Sequence, residues 1–427
     1  LSSTDLTYIE DRIPSRWRDD NFRLFGLFIL WPVLLLVESI RNYRAQYARN
    51  ALLLFIVFFG YTFIARDGND AFRYIEWFHD IRDTNISFGE FARLLYSVDT
   101  NYVDVVEPFL AFIVAQFTRD HRILFAVFGL MFGYFYTRNV WYLIDRTPLA
   151  YSVQARILLV AFAMVIPFWS LNVIRFWTAA HIFFFGAIRF LLEGKTRALW
   201  IAAASVLVHF SFVIPVSVLL LYWAMGNRTT AYLTFFLACN LVSEINVKQL
   251  REPLIAHTPA AFHNRIEGYT EEENLERRRE GLQHRNWYVN WYQRALHIAM
   301  SILLTLIFFL GGEVWRKQKE MQRLFSFLLL FGGFATLSSL VPVLMRFHEL
   351  GMLFGMAFLF LYFYKKKGEI LTERALNLLL PAFALFFIVS LRAGFDNASI
   401  YSIISNPIIA PAIEINDVTL IDLIKGS

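Results

Sequence analysis

Residues Arg197 to Met225 read RALWIAAASVLVHFSFVIPVSVLLLYWAM, an apolar run interrupted by one ionisable group, His209, and one proline, Pro215. A membrane-crossing helix needs roughly 20 apolar residues. The run is too long for one crossing and too short for two full ones. It works best as a hairpin turning near His209–Pro215. Each arm is then about 15 residues, or ~22 Å at ~1.5 Å per residue, short of the ~30 Å hydrocarbon core. Short helices and non-helical backbone inside a bilayer are tolerated only where they line protein or a water-filled cavity. The spacing therefore predicts an aqueous cavity beside the hairpin.

The rest of the chain fits a membrane protein. Of 427 residues, 57% are hydrophobic and only 18% charged, and the mean hydropathy is +0.47. A soluble enzyme normally carries about a quarter charged residues, so that class is excluded, as is a disordered chain. Further apolar runs stand near 22–40, 50–65, 106–118, 121–144, 152–170, 173–192, 229–244, 288–312, 324–345, 347–364 and 370–391. We expect an all-α, polytopic integral membrane protein of about 11–12 membrane helices. It forms a single membrane-embedded domain over residues 1–427, some helices being short or re-entrant. A single cysteine, Cys239, excludes an intramolecular disulfide framework. The net charge of +5 is small and dispersed, which argues against nucleic acid.

Basic residues in short loops mark the cytoplasmic side. The clearest are Arg41, Arg44 and Arg49; Lys195 and Arg197; Arg316, Lys317, Lys319 and Arg323; and Lys365–Lys367. Counting crossings from these markers puts two long loops, 66–105 and 246–290, outside. It puts the residues before 22 outside too, against Arg12, Arg16 and Arg18. The parity holds only if the 106–118 run stops halfway and the 197–225 run turns back.

An ionisable residue inside or beside a span is by default a functional hypothesis. Asp70, Arg73 and Tyr74 share one helical face after the second long run. Asp70 could act as a general base or hold an acceptor hydroxyl; alternatively the segment is a solvated helix start with Asp67 or Asn69 as its cap. Arg175 lies among apolar residues with no adjacent acid, so it must snorkel, pair across helices or bind an anion. His181 reads as a buried, hydrogen-bonded packing residue. His209 stands at the hairpin tip, as a packing residue or a functional one. Arg346 and Glu349, one turn apart at another outer turn, can simply pair. His257, His263 and His284 read as solvated. No metal-binding spacing, Gly-rich phosphate loop or serine-hydrolase motif is present.

Taken in order, Arg66…Asp70…Tyr74, Glu107-Pro108-Phe109, Asn172-x-x-Arg175, His209-x-Ser211 and Arg346 resemble the EpsG family of Wzy-like polysaccharide polymerases, over roughly residues 22–365. The family pattern has Gln after the arginine, where this chain has Phe176. The resemblance implies a GT-C-like membrane glycosyltransferase of the bacterial inner membrane, with its active site facing outward. Such enzymes join undecaprenyl-diphosphate-linked oligosaccharide units into O-antigen or exopolysaccharide, without a metal or other cofactor. On that basis Arg175, Arg346 and Arg73 are expected to bind diphosphate, and Asp70 or His209 to act as base. Glu107, Tyr74 and Asp67 are expected to contact sugar. Partners implied are the lipid-linked donor and acceptor, the bilayer and a chain-length regulator protein. The rival readings are a flippase for lipid-linked oligosaccharide, a single-sugar transferase and a glycan ligase. A transporter is expected to show paired broken spans in its two halves, and only one strong broken span, near His209, is visible.

Overall fold

The computed structural model describes residues 13–66, 70–84, 86–96, 104–242, 256, 285–341, 344–365, 370–413 and 418–426, with side chains from Phe22 onward except at Tyr96 and Gly312. Among these residues the regular structure is helical. Two isolated bridges, Phe63 with Ala398 and Ser399 with Thr419, tie the last segment to the rest.

Six helices are long and apolar enough to cross a membrane: His121–Asp145, Ser170–Glu193, Trp287–Leu310, Lys319–Ser339, Phe347–Lys365 and Ile370–Phe395. Six shorter apolar helices accompany them: Ala48–Tyr61, Val106–Phe117, Val153–Val165, Ala198–Val208, Phe210–Met225 and Thr229–Leu241. The protein is a polytopic all-α membrane protein. The helix Phe347–Lys365 is buried along almost its whole length and forms the centre of the bundle.

Close helix crossings need small residues, because lipid supplies no hydrophobic drive between helices. Helices Ala48–Tyr61 and His121–Asp145 meet at Gly60 and Gly129. A methyl group on Gly129 would stand 2.7 Å from the Ile56 carbonyl oxygen, and one on Gly60 would strike the Phe125 carbonyl.

The expected hairpin is present. Ala198–Val208 ends at His209, a short 3-10 turn covers Phe210–Phe212, and Val213–Met225 follows. Both outer ends of this run lie at one end of the bundle. The preceding turn is held there by Arg323, which donates to the Leu192 carbonyl at 3.2 Å. The far end, at Asn227 and Arg228, shares a surface depression with Arg316 and Gln322.

The other basic markers gather at that same end. Lys365 pairs with Glu320 and donates to Gln318. Lys195 and Arg146 both pair with Glu193 at 2.7 Å. Arg44 donates to the Pro148 and Leu149 carbonyls, and the Leu149 amide donates to the Tyr364 hydroxyl. The clustering of four separate basic loops is the pattern expected of a cytoplasmic face. The described residues at the edges of both long loops, Arg66 and Asp104 for one, Leu241 and Arg285 for the other, lie toward the opposite end. The helices Asp70–Thr84 and Phe88–Tyr96 stand inside the first of these loops.

One expected span is different. The 22–40 run is not continuous: helix Ile13–Leu30 stops, and Val33–Arg41 begins after Pro32. Proline has no amide hydrogen for the carbonyl four residues back and its ring crowds that carbonyl. Arg23 pairs with Glu38 across the bend, so the two pieces fold against each other. The run then contributes no full crossing, and the parity that placed the residues before it outside falls away.

Candidate functional site

At the end opposite the basic loops, five segments converge. They are the start of Asp70–Thr84, the start of Val106–Phe117, the entry to Ile174–Glu193, the hairpin tip and the entry to Phe347–Lys365.

Arg175 is the hub. Its Nε donates to the Tyr74 hydroxyl at 2.9 Å, and one terminal nitrogen lies 3.1 Å from an Asp104 carboxylate oxygen. The guanidinium also stands 5.2 Å from the Tyr74 ring centre. Its side chain keeps 21% exposure, whereas that of Asp104 keeps 2%. Of the alternatives open to an Arg with no acid beside it in sequence, the structure shows pairing across segments, with Asp104. Asp104 has a second task, accepting from the Phe210 amide at 2.8 Å. The adjacent Val105 amide donates to the Leu207 carbonyl at 3.2 Å. The halfway helix and the hairpin tip therefore brace each other, and both brace Arg175.

Tyr74 is buried, and that burial pushes its phenol above the ordinary value, with Arg175 opposing the shift. It stays a phenol at neutral pH. Its oxygen accepts from Arg175, so its hydrogen remains to be donated. Glu107 is 3% exposed, stands within electrostatic reach of Arg175 and Asp104, and its Oε1 has no partner among the described residues. A buried carboxylate oxygen left open is costly, and it suits a ligand hydroxyl.

Arg346 reaches the same cluster from the other half of the chain. It lies 3.8 Å from an Asp70 carboxylate oxygen, and Asp70 also pairs with Arg73. Arg346 stacks over Phe176 at 5.7 Å. Its ion pair is with Asp70, and Glu349 stands only within electrostatic reach of it. Phe176 is buried and touches His209, Phe212 and Phe347 at ring distances of 5.3, 5.1 and 5.3 Å. Phe176 is thus an aromatic keystone that seats both Arg346 and His209.

His209 Nδ1 accepts from Ser211, from the hydroxyl at 2.8 Å and the amide at 3.3 Å. The imidazole caps the 3-10 turn. His181 is a buried packing residue, with Asn139 and the Ile166 carbonyl as partners. Arg73 points outward, with 68% of its side chain exposed, and meets the cluster only through Asp70. Arg66 is drawn away from it, to Asp422 and Thr419. Asp67, His257, His263 and His284 lie outside the described residues.

Sequence reasoning missed Asp104. It is one of many acids in the 66–107 stretch, and no spacing singles it out. An open depression of about 490 Å³ lies at the basic end, among Arg228, Trp315, Arg316 and Gln322, and none of the residues above lines it. Among the described residues, no group of three or more His, Cys, Asp or Glu stands close enough to hold a metal ion.

The sequence profile of the EpsG family matches residues 50–403, well over half of the chain. The chain belongs to the EpsG family. No curated protein and no solved structure matches it. The match begins later and ends later than the resemblance drawn from motifs. It takes in every described residue of the cluster and leaves out the segment that pairs with Arg66. EpsG membership supports a role as a membrane polysaccharide polymerase or a related glycosyltransferase.

Proposed function

We propose that the chain polymerises lipid-diphosphate-linked oligosaccharide units into a surface polysaccharide, at the outer face of the bacterial inner membrane. The observation that carries this reading is the meeting of Arg175 and Arg346, from opposite halves of the sequence, at one polar cluster away from the basic loops.

Glycosyl transfer needs a base for the acceptor hydroxyl and stabilisation of the charge that develops on the leaving group. The donor is the growing chain on its undecaprenyl diphosphate; the acceptor is an incoming lipid-linked unit. The acceptor oxygen forms a bond to the anomeric carbon, and the bond from that carbon to the diphosphate breaks. The departing diphosphate takes the electron pair and is held by the forks of Arg175 and Arg346, with a hydrogen bond from Tyr74. Guanidinium groups are shaped for bidentate contact with phosphate. Asp104 orients Arg175. Asp70 receives the acceptor proton; His209 is the other candidate only if Ser211 gives up the imidazole's Nδ1 lone pair. Glu107 takes a sugar hydroxyl. Arg73 acts only through Asp70. The apolar flank of Val106–Phe117, at Phe109, Ile113 and Phe117, is exposed just beyond Glu107 and gives a polyprenyl tail a surface to follow. A separate chain-length regulator fits this reading.

Deleting the gene and resolving surface glycan on a gel tests the proposal. Single repeat units in place of a ladder are the expected result. Complete absence of surface glycan would favour a flippase or an assembly transferase instead.

A further inference from the structure

A second set of embedded polar side chains lies just beyond Arg346, and its members have no part in the scheme above. Glu349, one turn on, stands within electrostatic reach of Gln293, Tyr292 and Arg346. The neighbouring His348 ring lies 4.2 Å from that of His297. His297 Nε2 is 3.0 Å from Asn240 Oδ1 and 3.4 Å from Ser301 Oγ. Three helices contribute: Phe347–Lys365, Trp287–Leu310 and Thr229–Leu241.

The hydrogens in this set can be placed. Asn240 Nδ2 donates to the Phe236 carbonyl at 2.8 Å, so its Oδ1 is the atom that faces the imidazole. His297 Nε2 therefore carries the hydrogen, and Nδ1 presents a lone pair. That Nδ1 is buried and has no partner among the described residues. Glu349 and His348 are enclosed by protein, yet both keep partial solvent exposure. Both can therefore be reached in part from the surface of the bundle.

Two groups here can accept hydrogen bonds from a ligand: a Glu349 carboxyl oxygen and His297 Nδ1. Diphosphate oxygens are acceptors and supply a hydrogen to neither group. A ligand with several hydroxyls satisfies both groups, and it can accept in turn from Tyr292 and Ser301. The exposed rings of Trp287 and Trp291 stand on the first turns of the same helix, where a sugar face can stack.

We propose that the cluster of Glu349, His348 and His297 is a saccharide subsite. It takes hydroxyls of the neutral acceptor end, while the Arg175 side takes phosphate. The assignment to the acceptor rests on the polymerase reading; binding of a polyhydroxylated ligand does not.

The test uses the purified full chain in nanodiscs and two probes. One is the lipid-free oligosaccharide released by mild acid from the glycan of the producing cell. The other is farnesyl diphosphate. Glu349→Gln replaces one carboxyl oxygen with an amide donor. His297→Gln keeps an amide beside Asn240 and removes the Nδ1 lone pair; it reads the same cluster if the first variant fails to fold by melting temperature and gel filtration. Either substitution is expected to weaken the oligosaccharide by about tenfold or more, the scale of a lost hydrogen bond to a buried acceptor. Farnesyl diphosphate should bind unchanged. Wild-type affinity for the oligosaccharide in both variants, no oligosaccharide binding by the wild-type protein, or equal loss of both probes would overturn the subsite. Oligosaccharide binding without any farnesyl diphosphate binding would instead preserve the subsite and remove the polymerase reading.

Discussion

Arg175 shows how one guanidinium can be held and still serve a ligand. Its Nε is fixed by Tyr74 and one terminal nitrogen by Asp104, and its residual exposure is consistent with a remaining edge that can reach a phosphate. Lysine would keep the charge and lose the fork. Arg175→Lys is therefore expected to cut chain growth by about tenfold or more, the scale of a lost charge-assisted bond. Arg175→Ala should abolish it with the protein still inserted; normal chain length in that variant would remove the clamp assignment. Asp104→Asn keeps an oxygen for the Phe210 amide but loses the charge beside Arg175. Its effect and that of Arg175→Lys should be non-additive in a double-mutant cycle on chain length, because the two residues act as one unit. Additive effects would separate them. Arg175 itself was legible in the sequence, since a charge in an apolar run has to be explained. Asp104 was not: a tertiary ion pair leaves no mark on local spacing, and its segment is full of acids.

The hairpin and the closing segment illustrate what helices and turns add. The hairpin was legible because run length against bilayer thickness leaves few alternatives. The bend at Pro32 was passed over because the apolar count continues through it, although proline chemistry dictates it. Packing at Gly129 gives a stability prediction. Valine there would press on the Ile56 carbonyl, and overpacking of this kind costs about 1–3 kcal/mol; a thermal-shift assay should show a lower melting temperature for Gly129→Val. At the other end of the chain, Asp422 accepts from the Thr419 hydroxyl and amide and pairs with Arg66. Those contacts, the Thr419 hydroxyl bond foremost, hold its carboxyl down at about 2. A depressed carboxyl stabilises the docked segment above its unfolded-chain value and loses that effect as pH falls toward the folded one. Hydrogen exchange over 418–426 should thus have the same protection from pH 8 down to about pH 5, and lose it only in stronger acid. Asp422→Asn should raise exchange there at neutral pH. Loss of protection between pH 8 and 6 would contradict the pairing.

For the whole molecule, four basic loops gathered at one end and the arginine cluster at the other make a statement about orientation. Cys239 is the natural cysteine and is buried, so a Cys239→Ala background allows single-cysteine labelling. Arg73 and Lys317 are both well exposed and stand at opposite ends. In intact spheroplasts a membrane-impermeant maleimide should reach Arg73→Cys and reach Lys317→Cys only after lysis. The reverse pattern would turn the molecule over. The placement of the basic loops was legible from charge counting alone. The convergence of Asp70, Arg175 and Arg346 was expected from the resemblance alone, because motif order by itself says nothing about which helix ends meet. That convergence is tested most directly by titrating farnesyl diphosphate into the purified full chain, with Arg175→Ala and Arg346→Ala alongside. Both variants should lose the affinity shown by the wild-type protein. Undiminished binding in either would mean that the two guanidiniums do not share a phosphate.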